Sequence, residues 1–113
     1  MTDGSHVRFV FRETSIFTRL AGEHLPDDEL NAMQWALMAG PERGDLIRGS
    51  GGLRKLRWAG SGRGKRGGLR VIYYWYVPGD TILLLLAYPK NEQDTLTAAQ
   101  LRVLRSIIET EFP

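Results

Sequence analysis

Val7, Phe9 and Phe11 alternate with Arg8 and Val10, the two-residue period of a strand near a sheet edge. Ser15 then reads as the cap of a short helix through Phe17, Leu20 and Ala21. After Leu25, the run Pro26-Asp27-Asp28-Glu29 gathers a proline and three acids into a first turn, where the helix dipole favours negative charge. Leu30, Met33 and Leu37 follow on one face, Trp35 is expected to pack between the helices, and Gly40-Pro41 ends the segment. The two segments predict a helical hairpin with an acidic outer surface.

The stretch from Pro41 to Gly52 is rich in glycine and reads as loop. Leu53 to Ala59 predicts a strand with Leu56 and Trp58 on one face and Lys55 and Arg57 on the other. Gly60 to Gly68 is a loop of five glycines, three cations and one serine. Leu69 to Val77 and Thr81 to Tyr88 predict two strands around the turn Pro78-Gly79-Asp80, each apolar on both faces and so central in a sheet covered on two sides. A capping box at Thr97-Ala98-Ala99-Gln100 opens a last helix striped by Leu101, Leu104, Ile107, Ile108 and Phe112. The order is β-α-α-β-β-β-α, an α+β arrangement. With no internal repeat and only 113 residues, the chain is expected to form one domain over residues 1–113, with residues 1–6 a polar tail.

Charge adds what periodicity cannot. The net charge is only +2, yet residues 1–45 carry four arginines against eight acids, and residues 46–90 carry nine Lys/Arg against Asp80 alone. No carboxylate lies between Leu46 and Gly79, where Arg48, Arg54, Lys55, Arg57, Arg63, Lys65, Arg66 and Arg70 crowd together. Such segregation points to a polyanion partner at the basic segment. The absence of cysteine excludes a disulfide scaffold, a cysteine-ligated zinc and a thiol nucleophile. Of the two histidines, His6 lies in the N-terminal tail and His24 near a helix end, so a His/Glu or two-His ribonuclease mechanism is not expected, nor is a metal or other cofactor. The apolar run Ile82–Ala87 is far short of the roughly 20 residues of a membrane span, and the start of the chain lacks a secretory pattern, so a cytoplasmic protein that does not engage membranes is expected.

Three motifs occur in order: Gly-Gly-Leu-Arg-Lys-Leu-Arg at Gly51–Arg57, Gly-Lys-Arg-Gly-Gly-Leu-Arg-Val-Ile-Tyr-Tyr at Gly64–Tyr74, and Tyr88-Pro-Lys-Asn-Glu92. Together they resemble the RelE/ParE superfamily of bacterial toxins, most closely its HigB-like branch of type II toxin-antitoxin systems. The resemblance implies a RelE-like, microbial-ribonuclease-like fold: a mainly antiparallel sheet of about four strands, a helical hairpin on one side and a concave basic surface on the other. It also implies a ribosome-dependent endoribonuclease that cuts translated messenger RNA. A ribose 2′-hydroxyl attacks the adjacent phosphate and leaves a 2′,3′-cyclic end, which halts translation. The implied partners are the ribosome, messenger RNA and a cognate helix-turn-helix antitoxin, with operator DNA met only through the antitoxin.

Residue by residue, the resemblance carries the family's cationic pair onto Lys55 and Arg57, its strand-start arginine onto Arg70 and a further basic position onto Lys90. Of the three neighbouring strand cations, Lys55 alone can release a proton and serve as base, while Arg57 and Arg70 suit stabilisation of phosphorane charge. Tyr88, Tyr74 and Lys90 are the candidates for the acid, since some relatives carry an arginine where this chain has Asn91 and a tyrosine or histidine near the C-terminus where it has none. Arg54, Arg63, Lys65 and Arg66, with Tyr74 and Tyr88, are expected to grip RNA. Glycine neighbours leave Arg63, Lys65 and Arg66 too loosely held for proton transfer. Trp58, Trp75, Tyr73 and Tyr76 read as sheet packing more than as stacking platforms. The loop Gly60–Gly68 lacks the Gly-Lys-Ser/Thr ending of a nucleotide-binding loop. Two other functions fit part of the pattern: a ParE-like inhibitor of DNA gyrase, which does not need the cationic cluster, and a non-catalytic RNA-binding module.

Overall fold

The computed structural model describes residues 9–59, 68–93 and 95–113. Five strands and three α-helices follow one another as β1 (Val10–Glu13), α1 (Ser15–His24), α2 (Asp27–Ala39), β2 (Asp45–Leu46), β3 (Leu53–Trp58), β4 (Leu69–Tyr76), β5 (Thr81–Pro89) and α3 (Ala98–Glu111). The sheet order is β1-β5-β4-β3-β2, antiparallel except for the parallel pair β1 and β5. The α+β class and the hairpin on one side are as expected. The sheet has one strand more than the sequence pattern predicts, because Asp45 and Leu46 in the presumed loop pair with Lys55 and Arg54. Both residues of this strand are exposed, so no hydrophobic period marks it.

The two faces of β4 and β5 are buried in two separate cores, which explains why both strands read as apolar throughout. On one face Phe17, Met33 and Leu37 from the hairpin pack against Leu56, Leu69, Val71, Tyr73, Ile82 and Leu84. On the other, Leu104 and Ile108 of α3 cover Leu53, Ile72, Leu83, Leu85 and Tyr88. A β-bulge between Ile72 and Tyr73 lets β5 supply one extra apolar residue to the sheet centre.

Helix ends follow local chemistry. Thr14, one residue before the serine expected to cap α1, accepts a hydrogen bond from the Phe17 N–H at 3.0 Å and donates one to the Leu85 carbonyl at 2.8 Å. A threonine that caps a helix and ties it to β5 is better placed than Ser15, whose backbone is already helical. The Thr97–Gln100 capping box forms as the spacing predicts. Trp35 does not pack between the helices; it is 69% exposed. Met33 and Leu37 define the buried stripe of α2, and a residue two positions from either lies roughly 200° around the helix, facing away.

The α2–β2 connection is clamped to the sheet by two residues that face each other across β3 and β4, Arg54 and Tyr73. The Tyr73 hydroxyl donates to the Pro41 carbonyl at 2.6 Å and accepts from the Gly44 N–H at 2.8 Å. Arg54 donates to the carbonyls of Glu42 at 3.1 Å and Gly44 at 2.7 Å. Gly44 is required here, since a Cβ would sit 2.8 Å from the Tyr73 ring. Burial is the main force holding the Tyr73 phenol above its ordinary pKa of 10.0, partly offset by the Gly44 hydrogen bond. Because the folded value lies above the unfolded one, this stabilisation is complete below pH 10 and is lost as pH rises through the folded value. Tyr73→Phe is expected to cost about 1–3 kcal/mol at neutral pH, measured by urea unfolding, since it strands the Gly44 N–H. The variant should also lose part of the fall in stability that the parent shows above pH 10.

Candidate active site

The register of the central strands assembles a row of polar side chains that runs across three of them. Arg57 on β3 lies directly opposite Arg70 on β4, and Arg70 lies directly opposite Tyr88 on β5. Directly opposed residues have Cβ atoms about 4.5–5.5 Å apart. Lys55 shares the face of Arg57, two residues or roughly 6.6 Å along the strand. All four belong to the face that α3 covers only in part. That helix rests on Leu53, Ile72, Leu83 and Leu85, and Phe112, just past its end, stacks on Tyr76 with ring centroids 4.3 Å apart. Arg57 and Arg70 sit at the opposite end of the same strands.

Burial grades the row. Arg57 is exposed, Lys55 is half-buried, and Arg70 is only 6% exposed. Tyr88, also 6% exposed, closes the edge of the second core and so joins the packed interior to the charged end. Lys90 is exposed just beyond β5, and its N–H donates to the Gly68 carbonyl at 3.1 Å, which fixes the end of β5 beside the start of β4. Gly68 has φ +62°, and a Cβ there would meet the Trp58 carbonyl oxygen at 2.3 Å. Only glycine lets β4 start close enough to β3 to set Arg70 against Arg57.

Two like charges directly opposite one another destabilise a sheet, and burying one of them adds desolvation cost. Cross-strand pairing alone does not account for two cations set against each other at this end of the sheet, which makes it the candidate site. Replacing Arg57 with glutamine is therefore expected to raise stability by a few tenths of a kcal/mol, on the scale of cross-strand pairs. The gain should shrink at high salt, where exposed charges are screened, and chemical denaturation at two ionic strengths measures it.

The remaining candidates divide. Arg54 points to the hairpin side, where its guanidinium holds the α2–β2 connection, and it does not join the row. Tyr74 lies four residues along β4 from Arg70, about 13 Å away, with its ring 5.6 Å from that of Phe112. The acid candidates thus reduce to Tyr88 and Lys90. Arg63, Lys65 and Arg66 fall outside the described residues. Trp58, Trp75 and Tyr73 pack in or against the first core, as expected of sheet aromatics. Among the described residues, no three His, Asp or Glu side chains come together as metal ligands, and no helix is long and apolar enough to cross a membrane.

The chain thus forms a five-stranded sheet between a helical hairpin and a C-terminal helix, with a cationic row at one end. Its fold is similar to that of an Escherichia coli toxin RelE mutant solved in the free state, with TM-score 0.57 and 10% identity, covering 78% of this chain and 90% of that one. At that identity the likeness is one of fold. A family model described as the RelE toxin of the RelE/RelB toxin-antitoxin system matches residues 9–112. The chain belongs to the RelE toxin family, which makes it the toxin of a toxin-antitoxin system and implies an antitoxin as its partner.

Proposed function

We propose that this toxin belongs to the HigB-like branch and is a ribosome-dependent endoribonuclease that cuts translated messenger RNA in the cytoplasm. The observation that carries the reading is the direct opposition of Arg57 and Arg70 beside Lys55, which puts two fixed cations and an amine on one face, as a dianionic phosphorane requires. Lys55 takes the proton of the ribose 2′-hydroxyl, whose oxygen attacks the neighbouring phosphorus. Arg57 and Arg70 neutralise charge that builds on the non-bridging oxygens. The bond to the 5′-oxygen then breaks, and that oxygen receives a proton from Tyr88 or Lys90, leaving a 2′,3′-cyclic phosphate and a 5′-hydroxyl. No step needs a metal or a redox partner.

The ribosome supplies what the row lacks, an RNA strand held in line for attack. A cognate helix-turn-helix antitoxin keeps the toxin inactive and alone contacts operator DNA. Mapping transcript ends in cells that express the chain tests the reading: new ends within translated frames, bearing cyclic phosphate, are expected. Inhibition of gyrase supercoiling with intact transcripts would place it with ParE-like inhibitors. Salt-sensitive RNA binding without any cut would make it a binding module.

A further inference from the structure

β2 pairs only with Lys55 and Arg54, so from Leu56 onward the outer edge of β3 has no strand beside it among the described residues. A cleft of about 470 Å³ opens along this edge against the first turns of α2. Its helix wall carries Asp28 and Ala32, its sheet wall Arg57 and Ala59, and Arg43 borders it from the α2–β2 connection. Arg57 belongs both to this cleft and to the cationic row, so the cleft continues the row over the edge of the sheet. In the sequence Arg43 belongs to the acidic segment 1–45, and the fold carries it to the basic strand.

The backbone of Arg43 is held on both sides. The Tyr73 hydroxyl ties down Pro41 and Gly44, Arg54 holds the carbonyls of Glu42 and Gly44, and the Arg43 N–H donates to the Gly40 carbonyl at 2.9 Å. This clamp fixes where the Arg43 side chain leaves the backbone. Arg43 and Arg57 are both exposed, and neither makes a hydrogen bond or an ion pair through its side chain among the described residues. The acids of the helix wall are not their partners. Asp28 accepts the Glu29 N–H at 3.0 Å, and Glu29 is buried with an interaction of its own within the fold. Two guanidiniums with open donors on one cleft suit phosphate oxygens, which arginine grips through its planar fork. Grooves lined by such cations track the backbone of a single strand.

Resting on the nuclease reading above, we infer that the message strand runs from the cationic row over the β3 edge into this cleft, where Arg43 grips a backbone phosphate next to the one that is cut. Tyr73 and Arg54 are positioning residues for Arg43. The exposed carboxylate of Asp28 opposes the strand, so Asp28→Asn, which keeps an oxygen to accept the Glu29 N–H, should tighten binding.

Binding of fluorescent 2′-O-methyl RNA hexamers, which lack the attacking hydroxyl and stay intact, is read by anisotropy at several salt concentrations. Arg43→Gln is expected to weaken binding roughly fivefold, the upper range for an exposed charge pair, equally for oligo-A and oligo-U. The fall of log K with log salt should become shallower by about 0.7, the share of one phosphate contact on a single strand. Arg43→Lys should keep the parental slope, because it keeps the charge. Tyr73→Phe should weaken binding in the parent and not in Arg43→Gln, since it acts through Arg43. Parental affinity and slope in Arg43→Gln, a loss confined to one base, weaker binding by Asp28→Asn, or no binding by the wild type overturns the strand path. Equal losses from Tyr73→Phe in both backgrounds overturn its positioning role. The nuclease reading is judged apart, by transcript ends: intact transcripts overturn it, while the Arg43 contact stands or falls on the hexamers.

Discussion

Arg70→Met is expected to lower messenger cleavage by about 10²–10³-fold, the usual cost of removing one preorganised charge that stabilises a transition state. Methionine keeps the length and much of the volume of the side chain, so the packing around this 6% exposed position survives. Arg70 also has an interaction within the fold that methionine cannot make, so the thermal midpoint is expected to fall as well, and rates are compared at a temperature where both proteins stay folded. Arg70→Lys should retain part of the rate, because it keeps the charge but loses the planar fork that can hold two phosphate oxygens. Rates come from single-turnover cleavage on programmed ribosomes, with circular dichroism as the check on folding. Full activity in Arg70→Met would remove the arginine pair from the mechanism.

The contrast between Arg70 and Arg54 shows how far a sequence reading reaches. Both are cations in the basic segment, and periodicity places Lys55 and Arg57 on one face of β3 with Arg54 necessarily on the other. What Arg54 does there is invisible in the sequence, because its partners are backbone carbonyls of Glu42 and Gly44, and any residue brings a carbonyl. Arg70 presents a different difficulty. β4 is apolar on both faces, so alternation gives no indication of which side Arg70 takes. Its place is fixed by register, which depends on the close start of β4 at Gly68 and on Val71 and Ile72 entering opposite cores.

Strand β2 and the cleft were illegible for related reasons. Asp45 and Leu46 are both exposed, and a strand held by backbone pairing at a sheet margin leaves no hydrophobic signature. The cleft joins an acidic helix start to a basic strand edge across a sequence gap. The acids at Asp27–Glu29 were readable as partners of a helix dipole, a sufficient local explanation. That Glu29 is buried and faces the edge beside Trp58 emerges only when α2 is laid on the sheet. By contrast, elements with a strong internal period were readable almost to the residue, as with α3 and its Thr97 cap.

Lys55 separates a base from a mere positive charge. If its amine takes the 2′-hydroxyl proton, Lys55→Arg should be nearly as damaging as Lys55→Met, because a guanidinium keeps the charge and cannot give up its proton. General-base catalysis contributes typically 10²–10⁴-fold, and both variants are expected to lose cleavage within that range. Ribosome binding should respond differently, with Lys55→Arg binding like the parent and Lys55→Met weakened and less sensitive to salt, since only the latter removes a phosphate-facing charge. Lys55 is half-buried at a sheet margin, opposite Ile72 on one side and Asp45 on the other, so thermal unfolding of both variants accompanies the rates. Cleavage by Lys55→Arg close to the parental rate would assign Lys55 to charge stabilisation alongside Arg57 and Arg70.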